Sequence, residues 1–499
     1  MNSFRYRFST ANLALIVAFV LAFAQLNTCY SQTNRRANNA ASTRTSANQA
    51  QNPTPNAQAR PAARPAAQTT AQSANAQPQV AANVPQKNNE GQDLTPEENA
   101  MYKEAMDLFN RQDLQGALQK LRELTNGNPA ARPPRVIAAL WFAQLKNNEA
   151  ARIMLESATE EDPEDPEAYL SLADVSLREG ELTAAELLTQ KGIEKLANYS
   201  ANAERKRSME SKASSLTIAY LVARRRWRDA LVAINAKIKA EGETIDLNRA
   251  RANALFQLEQ YDQARQAFAR AEQLNEGKGL PADAAMSQLY AAKGDMANAK
   301  KSLDAALQAN PKSSPVLLLS ISNALAENNL DAAWKLAQQL YKEDKSPDVL
   351  KTYGRVALFR SDYRLAEAAF QEAVRQSPLD SDASNGLALA LCEQGDAEKN
   401  KRALQYATGN VQKQRNNRDF LATLGWVLYR SGQQEGAITA LQQSAADGQI
   451  NAASAYYFAV ILSEKGQTEQ AKNFLQAALA SKAPFAKRAE ATALYEKIK

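Results

Sequence analysis

The chain has 499 residues, 44% of them hydrophobic, a formal charge of +6 and no histidine. Without histidine the commonest general base and metal ligand are missing, and Ser-His or Cys-His nucleophile pairs are excluded. Its only cysteines, Cys29 and Cys392, cannot form a disulfide framework or a cysteine-rich zinc site. The charge is also uneven. Residues 1–92 hold eight Lys or Arg against one Glu, a balance of +7, which leaves −1 for residues 93–499. The later part therefore carries no general nucleic-acid footprint.

Residues 1–31 read as a secretory signal: Arg5 and Arg7 form a basic start, and Leu13 to Ala24 is an apolar run of twelve. A membrane-spanning helix needs about 20 apolar residues, so twelve favours cleavage before Gln32 over an uncleaved anchor, which is the alternative. Asn27 and Thr28 are poor neighbours for a lipidated Cys29. Residues 32–92 contain no aromatic residue, no Leu and no Ile, and are mostly Ala, Gln, Asn, Thr and Pro. Such a stretch cannot bury enough apolar area to offset its ordering entropy, and we expect a disordered spacer. Thr95-Pro96-Glu97-Glu98 then opens the first helix, with a capping Thr, a Pro for the first turn and acids for the dipole.

Farther on, Pro347–Pro378 shows how the rest is built. With Pro347 as position 1, Tyr353 stands at 7, Gly354 at 8, Ala357 at 11, Tyr363 at 17, Ala366 at 20, Phe370 at 24 and Ala373 at 27. Apolar residues three or four apart predict two amphipathic helices around the polar turn Arg360-Ser361-Asp362. Pro378 stops the second helix, since it lacks an N–H. The pattern recurs with position 1 at Glu98, Arg132, Pro166, Ser211, Ile245, Leu280, Ser314, Pro347, Ser381, Arg418 and Ala452. Most spacings are close to 34 residues, the exceptions being 45 before Ser211 and 37 before Arg418. Position 20 is Ala in every copy but the ninth, where Asn400 stands and Ala403 is expected to replace it. Thr189 at position 24 of the third copy and Ile218 at position 8 of the fourth depart from their columns.

This period and column pattern resemble the tetratricopeptide repeat. The resemblance implies an all-α α-solenoid, a superhelix of about eleven helical hairpins. We divide the chain into repeats 1–3 at 93–196, a helical insertion at 197–210, repeats 4–11 at 211–484 and a capping helix at 485–499. It also implies a non-enzymatic scaffold that binds proteins or peptides in a concave groove, without cofactor or metal. We expect a monomer without nucleic acid, exported to the periplasm or cell envelope. The alternative is an envelope assembly component anchored by an uncleaved N-terminal helix.

Individual clusters have plainer readings. Cys392 falls in a packing column at position 12. The acidic run Glu160-Glu161-Asp162-Pro163-Glu164-Asp165-Pro166-Glu167 lacks a calcium loop's central Gly and reads as a solvated connection between hairpins. Arg205, Lys206 and Arg207, with Arg224 and Arg225, could form a local basic patch for an anionic partner. The carboxylate clamp of some family members begins with Arg249 and Asn253 but fails at Ala285, Pro315 and Leu319. In this family, positions 5 and 9 commonly face the groove, and here position 9 is chemically mixed. Leu389, Trp426 and Val460 at position 9, with Tyr456 at position 5, are the candidate groove residues. Mutual burial of Trp426 and Tyr456 is the competing possibility.

Overall fold

The computed structural model describes residues 95–126, 131–445, 450–481 and 483–499; the signal and spacer assigned to residues 1–92 lie outside them. Among the described residues there are 23 helices and no strand. The chain divides after Leu274 into two compact units.

In the first unit, odd-numbered helices open each hairpin and even-numbered ones close it. These are α1 (Pro96–Asn110) and α2 (Leu114–Thr125), α3 (Pro134–Gln144) and α4 (Asn148–Glu161), and α5 (Pro166–Arg178) and α6 (Leu182–Asn198). Then come α7 (Ala203–Ala223) and α8 (Trp227–Glu241), and α9 (Ile245–Gln257) and α10 (Tyr261–Leu274). The second unit continues with α11 (Ala282–Lys293) and α12 (Met296–Ala309), α13 (Ser314–Ala326) and α14 (Leu330–Glu343), and α15 (Pro347–Phe359) and α16 (Tyr363–Gln376). It ends with α17 (Ser381–Cys392) and α18 (Ala397–Lys413), α19 (Arg418–Arg430) and α20 (Gln434–Ser444), α21 (Ala452–Glu464) and α22 (Thr468–Ala480), and the unpaired α23 (Arg488–Ile498). The fold is an all-α α-solenoid of helical hairpins. At the 45-residue spacing, the extra length goes into a 17-residue α6 and a 21-residue α7 around the short link 199–202.

One turn serves every hairpin. Position 15 has a positive φ in all eleven, from 56° at Asn328 to 87° at Gly294. In the Pro347 hairpin the Ser361 N–H donates to the Leu358 carbonyl at 3.0 Å and the Asp362 N–H to the Ala357 carbonyl at 2.9 Å. This paired bonding satisfies carbonyls that the ending helix leaves open. The next residue caps the second helix: Asp362 accepts from the Leu365 N–H at 3.1 Å, as Asn329 does from Ala332.

The seam within each hairpin is the alanine column. Ala117, Ala230, Ala264, Ala333, Ala366, Ala437 and Ala471 are all fully buried. In the ninth hairpin Ala403 is 0% exposed, while Asn400 is half-buried and donates to the Arg430 carbonyl. Phe370 lies over two glycines, where a Cβ on Gly354 would come within 2.9 Å of its ring and one on Gly386 within 2.3 Å. Thr189, the odd residue of its column, is buried with its hydroxyl donating to the Ala185 carbonyl at 2.7 Å. Ile218 is simply buried core.

In the second unit, consecutive first helices from α13 to α21 touch one another, while consecutive second helices lie farther apart. A stack with one row close and the other splayed curves toward the close row. The first helices therefore form the concave face of this unit.

Candidate functional site

Position 9 places Arg355, Leu389, Trp426 and Val460 on successive first helices of the second unit. Arg355 is exposed, and Leu389 and Val460 are half-buried. Trp426 and Tyr456 correct the expectation of an open aromatic pair, at 3% and 7% exposure. Trp426 stacks on Tyr457 at 4.4 Å and on Tyr429 at 5.1 Å between ring centroids, with Tyr456 at 6.0 Å. The physical reason is that position 6 of the last hairpin is also aromatic, and Tyr457 closes over the indole. Burial pushes the Tyr456 hydroxyl up to about 12.

The same face holds a buried charge. Glu393, next after α17, accepts from the Trp426 Nε1 at 2.8 Å and from the Lys487 Nζ at 3.0 Å. Lys487 Nζ also donates to the Tyr363 hydroxyl at 2.6 Å and lies 3.2 Å from the Glu490 carboxylate. The Glu393 side chain is 8% exposed and that of Lys487 12%. Burial works against the ammonium, but Glu393 and the Tyr363 hydroxyl outweigh it and hold its pKa above the ordinary value. Two residues earlier, Phe485 is buried with its ring 6.5 Å from that of Tyr456. Residues 485–487 thus reach from Tyr456 on α21 through Glu393 after α17 back to Tyr363, the residue that opens α16 in the Pro347 hairpin. Sequence periodicity does not find this, because a contact across 124 residues leaves no periodic trace.

In the first unit the acidic run and the basic patch prove to be parts of one structure. Arg205 is buried, its Nη2 donating to Asp165 Oδ2 at 2.6 Å and its Nε to Glu167 Oε2 at 2.9 Å. Its Nη1 donates to the Ala131 carbonyl at 3.1 Å and the Tyr199 hydroxyl at 3.2 Å. Arg132 Nε sits 2.7 Å from the other Glu167 oxygen. Asp165 and Glu167 are therefore not a solvated connection, and Arg205 is not available to an anionic partner. Burial raises the Glu167 pKa, yet the two guanidiniums outweigh it and leave the group below its usual range. Arg205 stays charged because its two carboxylates outweigh its own burial.

The remaining patch residues scatter. Arg224 is half-buried and pairs with Glu186 at 2.9 Å, Lys206 is half-buried, and Arg207 and Arg225 are exposed. Asn253 of the failed clamp is buried. Cys392 is fully buried, and burial pushes its thiol well up. Among the described residues no group of three or more His, Cys, Asp or Glu side chains could hold a metal ion, and no helix is long and apolar enough to cross a membrane.

A further surface lies on the second helices of the first unit. Ile153, Leu187 and Val232 stand at position 22 of three consecutive hairpins and are 50%, 61% and 71% exposed. Other copies carry Gln119, Gln266, Lys301 and Lys335 there, so comparing that column would have marked the apolar exception.

One tetratricopeptide-repeat family model matches residues 138–201 and 353–410, and a second matches residues 284–313. No curated protein matches the chain. Among solved structures, a thermophilic tetratricopeptide-repeat protein of Thermus thermophilus is 18% identical, covering 37% of this chain and 98% of its own, with a TM-score of 0.32. PilW, a type IV pilus biogenesis factor, is 17% identical over 40% of this chain and 91% of its own, with a TM-score of 0.33. Yeast Tom70 is 14% identical over 81% of this chain and 95% of its own, with a TM-score of 0.32. With hairpins of one design stacked through an alanine seam, and with family models matching in both units, the chain is a tetratricopeptide-repeat protein.

Proposed function

We propose that this protein is an exported, non-enzymatic scaffold that holds partner proteins or peptides on its first-helix face. The observation that carries this is a contrast between two columns. Position 20, inside the hairpin, is alanine in all copies but one, and each of those alanines is buried. Position 9, on the first helices, runs from Asp174 through Gln288 and Arg355 to Leu389 and Val460, none of them fully buried. Packing alone demands sameness from repeat to repeat. A surface that varies copy by copy suits recognition of a partner along its length. The chain also has no histidine, and we assign it no catalytic role. Repeat proteins of this kind act through bound proteins, and the partner here is a protein or peptide.

The export half rests on the basic start and apolar run of residues 1–31, and periplasm or cell envelope is the compartment it fits. Fractionation of cells that express the full chain, with the mass of the purified N-terminus, tests it. A mature chain that begins at Gln32 in the exported fraction is expected. An intact Met1 start in the cytoplasmic fraction would overturn it.

A further inference from the structure

The concave face of the second unit is already occupied by part of this chain. Residues 485–487 reach it between α22 and α23, with Phe485 buried beside Tyr456 and Lys487 enclosed by Glu393 and Tyr363. We propose that this face is a docking site for a peptide with a large aromatic two residues before a lysine or arginine, and that Phe485-Ala486-Lys487 fills the site in cis until such a partner displaces it. The inference rests on the scaffold reading above, and it names the chemistry of the partner.

The occupant argues for the partner. Glu393 is a buried carboxylate fixed from one side by the Trp426 indole N–H at 2.8 Å. Lift the segment away, and that carboxylate keeps one neutral donor and no cation. Release of the segment wets the carboxylate, and a lysine or arginine that docks there with its aromatic partner restores both the ion pair and the closure against water. The Tyr363 hydroxyl accepts from the same ammonium at 2.6 Å, a second polar anchor for the cation. The Tyr456 ring beside Phe485 supplies the aromatic half of the site. The segment that carries these two anchors is short, and α23 behind it packs on α22. An exchange therefore needs only local release, with the hairpin stack left intact.

The probe is a fluorescein-labelled peptide of the sequence Ala-Pro-Phe-Ala-Lys-Arg-Ala-Glu, copied from residues 483–490. It is titrated against the full chain and against full-chain Phe485→Ala/Lys487→Ala, with fluorescence anisotropy as the readout. We expect the double variant to bind at least tenfold more tightly than the parent chain. Adding Glu393→Gln, or replacing the peptide's lysine by alanine, should remove that gain. If the double variant loses helical signal, Lys487→Gln replaces it, because it keeps most of the stem and drops the cation. Equal binding by parent and released variant, or binding indifferent to Glu393, would overturn the proposal. Failure here would leave the scaffold reading standing if partners still cross-link to other first-helix positions.

Discussion

Arg205 shows what periodicity can and cannot say about a single side chain. Its position in a charged stretch suggests a solvated cation, because a run of like charges is usually an exposed face. Its actual partners lie 38 and 40 residues earlier, in an acidic run that also reads as solvent-facing. Neither half reveals the pairing alone. Removing one member of a buried ionic group leaves the others uncompensated, so Arg205→Ala should destabilise the first unit by about 3–5 kcal/mol. Lys206→Ala next door should stay within about 0.5 kcal/mol. Urea unfolding of the two variants checks both values, and equal small effects would return Arg205 to the surface. The position-15 turn is a second residue-scale case. Arg225 holds φ 58° there, a conformation that costs a side-chain-bearing residue about 1–2 kcal/mol. Glycine avoids that cost but loses about 0.5–1 kcal/mol through its freer unfolded state. Arg225→Gly should therefore stabilise by about 0.5 kcal/mol, seen as a small rise in melting temperature. Glycine stands at this position in five copies, enough to suggest the turn but masked by Gln, Lys, Arg, Glu, Asn and Ser in the others.

At the scale of the helix, most of the fold was legible. A column that must be small because two backbones meet there is written directly in the chain, and Ala366 and its ten equivalents are buried as that column requires. The replacement of Asn400 by Ala403 was legible from the spacing alone, since the two are nearly one helical turn apart. What was not legible was which half-open column becomes core. Trp426 occupies a column that elsewhere holds Asp174 and Arg355, and only the neighbouring Tyr429 and Tyr457 decide that it stacks inward. The seam supports a direct test. Ala366→Glu inserts a carboxylate and several extra atoms where no space remains, and should cost about 3 kcal/mol or more. Repeat arrays couple mainly neighbour to neighbour, so hydrogen exchange should quicken in α13 to α18 and change little in α1 to α10. Uniform loosening in both units would contradict nearest-neighbour stabilisation.

Across the whole molecule, the hairpins provide one design repeated with different surface chemistry. Two units each carry their own devices: a buried arginine–carboxylate group in the first, and a first-helix face in the second that its own C-terminal segment covers. Neither device is periodic, and this is why repeat analysis reads the scaffold and misses its contents. The claim that the first-helix face is where partners are held can be measured by placing a photo-cross-linking amino acid at single positions of the full chain in its native cells. Arg355, Leu389 and Val460 sample that face, while Lys301 and Thr439 at position 22 sample exposed second-helix surface. The account predicts discrete cross-linked protein adducts from the first set and none from the second. Adducts confined to Lys301 and Thr439 would contradict it.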